Sequence, residues 1–163
     1  EPGWENIRFH IHNSVPQEAA EIQNLLHRLA NYDCRITLFE TSFDKSQWEE
    51  FLDSLDLMIC PYEPNAYKKM WSGLAVEAFC RGIPTILPNG SINSQFLIEK
   101  DADVPGFNNW TAQDIYVALQ KAVKNYDYYA ARTYKAACIV SEEKKGHNFL
   151  HEIIEKFTYK HSS

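Results

Sequence analysis

The chain has 163 residues, the length of one compact domain, with 45% apolar and 23% charged residues, as in ordinary globular proteins. Its formal net charge is −6, so we expect no nucleic-acid polymer as a partner, because such binding relies on a basic face. No stretch approaches the roughly 18 apolar residues of a membrane span, and no signal peptide is visible. The four cysteines form no CxxC pair, so we expect them to be small core residues of a cytoplasmic protein.

Apolar runs alternate with segments of helical periodicity along the chain. The runs predict strands at residues 7–12, 35–39, 57–60 and 85–87. The periodic segments predict helices at residues 16–31, after Asp44 or Ser46, from Ser72 to Gly82, and at residues 94–100. Residues 61–71 and 106–109 are predicted to be loops, and further helices are expected at residues 111–129, 130–142 and 146–160.

This alternating order predicts an α/β fold. A succession of strand and helix favours a Rossmann-like parallel sheet with helices on both faces, followed by C-terminal helices. In such sheets, ligands bind beyond the carboxyl ends of the strands. Binding residues are therefore expected in the segments that follow each strand.

The most informative segment, residues 56–88, contains a predicted anion site. Ser72 is a good helix N-cap, and Gly73 has no side chain, so a ligand can approach the backbone closely there. The first-turn N–H groups of Gly73, Leu74 and Ala75 lack intrahelical partners, and the helix dipole favours a negative charge beside them. A diphosphate fits this chemistry.

Charged residues flank the predicted helix start. Lys68 and Lys69 precede it and could add positive charge. Glu77 lies four residues after Gly73, so its carboxylate would point toward the same mouth and could accept two ribose hydroxyls. A purely structural alternative stays open: Ser72 caps any helix, the lysines belong to a solvated loop, and Glu77 pairs with Arg81.

The residues from Gly73 read Gly-Leu-Ala-Val-Glu-Ala, and Gly-Ile-Pro follows from Gly82. This segment resembles the donor-binding region of retaining GT-B glycosyltransferases, where a Gly-x-x-x-Glu-Ala helix start is followed by Gly-x-Pro and a strand. The resemblance extends in order over residues 7–157. It implies that the chain is the C-terminal half of a GT-B fold, which binds a nucleoside-diphosphate sugar as donor substrate.

The resemblance also implies roles for individual residues. The family's ribose-binding glutamate maps to Glu77, and its diphosphate-binding helix start maps to Ser72, Gly73, Leu74 and Ala75. It implies no catalytic metal and no cofactor other than the donor substrate. It identifies no catalytic residue in this chain.

Two departures from the family pattern stand out. Many members carry a glutamate eight residues before the ribose glutamate, and this chain has Lys69 at that position. The surrounding segment, Tyr67-Lys-Lys-Met-Trp-Ser-Gly73, resembles a branch of the family that has a tyrosine and basic residues there. Members also open this half with a strand and helix that supply a basic residue, whereas residues 7–12 resemble the family's second strand. We therefore expect residues 1–163 to be a single nucleotide-sugar-binding domain without its first β-α unit and the N-terminal acceptor-binding domain, and inactive alone.

The resemblance predicts an enzyme that transfers a hexosyl or related sugar to a glycan or other acceptor, as in polysaccharide biosynthesis. The alternative is a non-catalytic Rossmann-like binding or interaction domain that has lost transfer activity. Lys69, in place of the family's glutamate, would indicate this loss. A receiver or flavodoxin fold is disfavoured, because residues 12–16 supply neither the acidic residues of the first nor the phosphate loop of the second.

Aromatic and histidine residues leave two further alternatives open. His10 with His12, or His147 with His151, could begin a zinc site or could be scattered surface histidines. Trp71, beside the predicted site, could flank a sugar or fill the core.

Overall fold

The computed structural model describes residues 4–13 and 20–143. The chain divides into two compact units, Glu1–Phe51 and Leu52–Ser163. Every paired strand in the described residues is parallel, and helices separate most of the strands, so the predicted α/β class is confirmed. The predicted helix at residues 146–160 lies outside the described residues.

The first unit is built on two parallel strands. These are β1 (Phe9–His12) and β2 (Ile36–Phe39), and Phe9 is in register with Ile36. Helix α1 (Ala20–Tyr32) connects them, and helix α2 (Lys45–Asp53) follows β2. The boundary between the units falls within α2.

Helix α2 begins with a reciprocal cap. Asp44 Oδ1 accepts a hydrogen bond from the backbone N–H of Gln47, and Gln47 Oε1 accepts one from the backbone N–H of Asp44. This capping box identifies Asp44 as the cap and not Ser46. The helix brings Trp48 and Phe51 into an aromatic cluster with Phe39, Phe43, His10 and His12.

The apolar stripe of α1 remains accessible to solvent. Ile22 is 57% exposed, Leu25 46% and Leu29 41%, although their helical spacing suggested a buried face. Leu26, on the same helix, is half-buried.

The second unit contains a three-stranded parallel sheet. Its strands are β3 (Met58–Ile59), β4 (Thr85–Pro88) and β5 (Gly106–Phe107), in the spatial order β3-β4-β5. Met58 is in register with Thr85, and Leu87 with Gly106. All four residues of the central strand β4 are buried, as expected for a strand with neighbours on both sides.

Helices of the second unit supply most of the core around this sheet. They are α3 (Pro64–Tyr67), α4 (Gly73–Cys80), α5 (Ile92–Glu99), α6 (Ala112–Lys124) and α7 (Tyr126–Glu143). Fully buried side chains include Phe79 of α4 together with Ile86 and Leu87 of β4. Burying each such side chain contributes about 1.5–3 kcal/mol to the stability of the fold, so core packing holds α4 against β4.

Three predictions about these elements were wrong. Residues 106–109 were expected to be a loop but begin with β5, and residues 61–71 contain the one-turn helix α3. The single helix expected over residues 111–129 ends at Asn125, whose side-chain Nδ2 donates to the carbonyl of Lys121, and α7 then begins at Tyr126. A side chain that binds the preceding turn competes with helix continuation.

The cysteines also differ from expectation. Cys60 is buried, whereas Cys34, Cys80 and Cys138 are exposed, and all four are free thiols. The apolar neighbours of Cys80 and Cys138 in sequence therefore did not determine their burial, and Cys34 lies between the charged residues Asp33 and Arg35.

Within residues 4–13 and 20–143, no helix is long and apolar enough to cross a membrane.

Candidate functional site

The site predicted from the sequence begins at the first turn of α4. Ser72 is the N-cap, with extended backbone angles of φ −110° and ψ 112°, and its Oγ accepts a hydrogen bond from the N–H of Ala75 at 3.3 Å. Ser72 and Ala75 are buried. The cap thus occupies one of the first-turn N–H groups and leaves those of Gly73 and Leu74 without an intrahelical acceptor.

Asn93 fixes the position of this helix start. Its side-chain Oδ1 accepts from the backbone N–H of Ser72, and its Nδ2 donates to the backbone carbonyl of Ser72, both at 3.0 Å. Asn93 is 1% exposed and lies in the first turn of α5, which follows β4. A buried side chain from a neighbouring element therefore satisfies both backbone groups of the N-cap residue.

Tyr62 provides a second anchor for the same residue. Its hydroxyl lies 2.8 Å from Ser72 Oγ and also forms a hydrogen bond with the thiol of Cys60 at the end of β3. Burial raises the pKa of Tyr62, and burial raises the pKa of Cys60 to about 11. Both groups are therefore neutral at physiological pH, which excludes Cys60 as a thiolate nucleophile.

Helix α3 positions the tyrosine and lysine residues of the predicted site. The carboxylate of Glu63 caps α3 by accepting from the N–H groups of Asn65 and Ala66, and these backbone hydrogen bonds lower the pKa of Glu63. The ring of Tyr67 stacks on that of Tyr62, with centroids 4.0 Å apart. Tyr67 is thereby connected to the start of α4 through Tyr62.

The two lysines lie at the far end of α3. Both Lys68 and Lys69 are exposed, and Lys68 Nζ donates to Asn65 Oδ1 at 3.2 Å. In the part of the chain that the structure describes, neither lysine forms a hydrogen bond or ion pair with the first turn of α4. Their positive charges are available to a ligand only through rotation of flexible, solvated side chains.

Gly73 opens the helix start to solvent. It is exposed, and a Cβ built on it would meet no atom within 4 Å. The glycine is therefore not required by crowding within the protein, and the space above it is available to a ligand. Leu74 and Glu77 are half-buried on the same helix.

Arg81 forms an ion pair at the other end of α4. Its guanidinium donates to Asp53 at the end of α2. The two residues border a pocket of about 170 Å³ that also includes Asp56, Gly82 and Tyr126. Because Asp56 precedes β3 and Gly82 precedes β4, this pocket lies at the amino ends of the strands, opposite the predicted site.

Aromatic residues complete the carboxyl edge of the sheet. Trp71 is half-buried and packs edge-to-face on Phe96, with centroids 5.3 Å apart, so at least part of its ring fills the core. Trp110, which follows β5, donates its indole N–H to the carbonyl of Pro61, which follows β3, at 2.9 Å. This hydrogen bond joins the segments beyond the two outer strands.

The sequence did not predict a role at the site for three residues, Asn93, Tyr62 and Trp110. Their contacts with Ser72 and Pro61 span 21, 10 and 49 residues, respectively, and no local spacing indicates them. The asparagine in the first turn of α5 was the best available signal, since that residue type favours helix starts.

The histidines do not form a metal site among the described residues. No group of three or more His, Cys, Asp or Glu side chains that could hold a metal ion occurs there. The ring of His12 stacks on that of Phe43 at 4.2 Å, and its Nε2 lies 3.0 Å from the carbonyl oxygen of Thr41. His147 and His151 lie outside the described residues.

Fold and site together define an α/β protein with a rigidly held, solvent-open helix start at the carboxyl edge of a parallel sheet. No protein-family model matches the chain, and no curated protein matches it. The family resemblance drawn from the sequence therefore stays a prediction.

Proposed function

We propose that this chain is the donor-binding half of a retaining GT-B-type glycosyltransferase and binds a nucleoside-diphosphate sugar. The observation that carries the proposal is the start of α4. Ser72 is held by Asn93 and Tyr62, while the adjacent Gly73 is open to solvent. A binding site that is ordered before the ligand arrives loses less entropy on binding.

The chemistry of this start favours a phosphate group. The N–H groups of Gly73 and Leu74 carry partial positive charge from the helix dipole, and no Cβ at Gly73 hinders a phosphate oxygen. Ala75 contributes less directly, because Ser72 Oγ already accepts its N–H. The exposed side chains of Lys68 and Lys69 can rotate toward a bound diphosphate and add positive charge beside it.

Glu77 extends the same site by one helical turn. A carboxylate accepts hydrogen bonds from two vicinal hydroxyls, and side chains on a helix lean toward its N-terminus. We infer that Glu77 binds the ribose of the donor while the diphosphate occupies the start of α4. Tyr67, stacked on Tyr62, borders the phosphate side of this arrangement.

The wider proposal follows from the element order. The domain would have the Rossmann-like parallel sheet with helices on both faces, and a separate N-terminal half would bind the acceptor, a glycan or other molecule. The enzyme would act in the cytoplasm, in polysaccharide biosynthesis or a related pathway.

A second candidate function is a non-catalytic binding domain of the same fold. It is favoured by Lys69, an exposed lysine at the position where many members of the resembled family carry a glutamate near the transferred sugar. Binding of a nucleotide sugar without turnover, in the presence of an acceptor-binding half, would support this candidate.

Gly73→Ala tests the phosphate site directly. Calorimetric titration with UDP, GDP and ADP identifies the base, and inorganic phosphate serves as the weak-binding reference. We expect Gly73→Ala to weaken nucleoside-diphosphate binding about tenfold or more, because a methyl group would occupy the phosphate's approach. Since the new Cβ meets no protein atom, the free energy of unfolding should change by less than about 0.5 kcal/mol.

Gly90→Ala is the control for binding, because a Cβ at Gly90 also meets nothing within 4 Å, while its φ of +72° strains an alanine and lowers stability. It should leave nucleotide affinity unchanged. Wild-type protein that binds none of the three nucleoside diphosphates would rule out the proposed function.

A further inference from the structure

Trp110 is a large aromatic residue that is held in place yet left open to solvent. Its side chain is 61% exposed, although its indole N–H donates to the carbonyl of Pro61 at 2.9 Å. Trp110 follows β5 and Pro61 follows β3, and β4 lies between these strands. The indole therefore reaches across the carboxyl end of the central strand.

The backbone around Trp110 is also fixed. Asp114 accepts hydrogen bonds from the backbone N–H and the side-chain Nδ2 of Asn109, and these lower the pKa of Asp114. Thr111, the N-cap of α6, accepts from the N–H of Asp114, and its own N–H donates to the carbonyl of Asn109 at 2.8 Å. Hydrogen bonds thus fix the chain on both sides of Trp110, and the indole N–H makes a further hydrogen bond with Pro61.

The anchor of Trp110 is next to the candidate phosphate site. Pro61 is followed by Tyr62, whose hydroxyl lies 2.8 Å from Ser72 Oγ at the start of α4. The carbonyl that holds the indole and the side chain that holds the N-cap thus belong to two adjacent residues. The segment Pro61–Tyr62 therefore holds both the indole of Trp110 and the N-cap of α4.

We propose that the exposed ring of Trp110 is a stacking surface for the sugar of the nucleotide-sugar donor. This inference rests on the proposed function. If Glu77 holds the ribose and the start of α4 holds the diphosphate, the group that extends beyond the diphosphate is the sugar. We place the exposed ring of Trp110 beside this group, because the segment that holds the ring also holds the start of α4.

The chemistry of stacking suits a pyranose ring. The face of an indole carries negative charge density, and the C–H groups on one face of a pyranose carry slight positive charge. A ring held by hydrogen bonding before binding loses little conformational entropy when the sugar stacks on it. A nucleobase can also stack on an aromatic face, so the experiment must distinguish the two.

The test compares wild type, Trp110→Ala and Trp110→Phe with pairs of ligands that differ only in the sugar. The pairs are UDP and UDP-glucose, GDP and GDP-mannose, and ADP and ADP-glucose, titrated by calorimetry. Trp110→Ala should weaken binding of the favoured nucleotide sugar about tenfold and change that of its nucleoside diphosphate less than twofold. Trp110→Phe, which keeps a ring face, should restore most of the affinity.

Fluorescence gives a readout that a structural role would not change. The chain has four tryptophans, so the difference between wild type and Trp110→Phe isolates the signal of Trp110. We expect nucleotide sugar to change this signal and nucleoside diphosphate to leave it unaltered.

Each other outcome overturns the inference in a recognisable way. If Trp110→Ala weakens nucleotide sugar and nucleoside diphosphate equally, the ring stacks on the base or only supports the fold. If neither affinity changes, Trp110 does not contact the donor, and the proposed function still stands on the wild-type titration. If wild type binds no nucleoside diphosphate and no nucleotide sugar, the proposed function fails and this inference fails with it.

Discussion

The side chain of Asn93 forms two hydrogen bonds with the backbone of Ser72, one with its N–H and one with its carbonyl, both at 3.0 Å. Asn93 belongs to α5 and Ser72 caps α4, so one buried amide fixes the start of one helix to the start of another. The candidate anion site is therefore positioned by an element that contributes no other residue to it. This explains how a short helix, α4, can present its first turn rigidly to solvent.

Asn93→Ala should destabilise the protein by about 2–4 kcal/mol, because it leaves two buried backbone groups of Ser72 without partners. We expect a melting temperature lower by roughly 10 °C, measured by circular dichroism. Asn108→Ala is the control, since Asn108 is exposed and accepts a hydrogen bond from the exposed side chain of Asn89. If both variants melt together with wild type, the Asn93 bridge is not a stabilising contact.

Gly82→Ala should cost more stability than Gly90→Ala. Both glycines have left-handed backbone angles, with φ of +77° and +72°, which cost an L-residue about 1–2 kcal/mol. A Cβ at Gly82 would in addition lie 3.2 Å from the ring of Tyr134, whereas one at Gly90 meets nothing within 4 Å. Urea unfolding should place Gly82→Ala lower in stability than Gly90→Ala, and the reverse order would contradict this packing.

Cys60 should resist modification that the other thiols undergo. Burial raises its pKa to about 11, and the side chain is 1% exposed, whereas Cys34, Cys80 and Cys138 are exposed. At pH 8, a chromogenic disulfide reagent should modify three thiols in the native protein and four in guanidinium chloride. Cys60→Ala should lose only the fourth, denaturant-dependent thiol. Rapid reaction of all four thiols in the native state would show that the end of β3 opens readily.

The element order and the start of α4 could be predicted from the sequence, because both rest on local patterns. Apolar runs marked β1 to β4, and Ser72 followed by Gly73 marked the helix start that the structure has. Strand β5 has only two residues, one of them a glycine, and its strand conformation comes from pairing with Leu87 and Pro88. No local propensity could indicate it.

Contacts distant in sequence account for the rest of what was missed. The guanidinium of Arg81 binds Asp53, 28 residues away in the sequence, and no local spacing indicates this pair. Likewise, Cys80 and Cys138 lie in apolar stretches of the sequence but at exposed positions of their helices. A local sequence pattern indicates which face of a helix or strand is apolar, but it does not indicate which distant residues pack against that face.

The stability of the first unit should depend on the ionisation of Asp33 at low pH. Its carboxylate accepts hydrogen bonds from the side chain and the backbone N–H of Arg35, which lower the pKa of Asp33 to about 2. A depressed folded-state pKa stabilises the protein above the unfolded-state pKa of about 4, and this stabilisation is lost as pH falls from about 4 toward 2.

Asp33→Asn should therefore melt below wild type at pH 7, and the difference should shrink toward zero as pH approaches 2. Thr37→Ala, an uncharged change at an exposed position of β2, serves as the control and should show a difference independent of pH. A difference between wild type and Asp33→Asn that does not vary with pH would mean that the carboxylate's charge contributes nothing.

Glu77→Gln tests the ribose role in the proposed function. The substitution preserves shape and removes the charge, so a carboxylate that accepts ribose hydroxyls should lose charge-assisted hydrogen bonds of about 1.5–3 kcal/mol. We expect nucleoside-diphosphate affinity to fall roughly ten- to hundredfold by calorimetry, with the melting temperature nearly unchanged. The purely structural alternative predicts the opposite pattern, a loss of a few tenths of a kcal/mol in stability with binding unaltered. Inorganic pyrophosphate, which has no ribose, is the matched ligand: its affinity should be equal in wild type and variant. Equal affinity of both proteins for the nucleoside diphosphate would reject the ribose role of Glu77, while the response of Gly73→Ala would still report on the phosphate site.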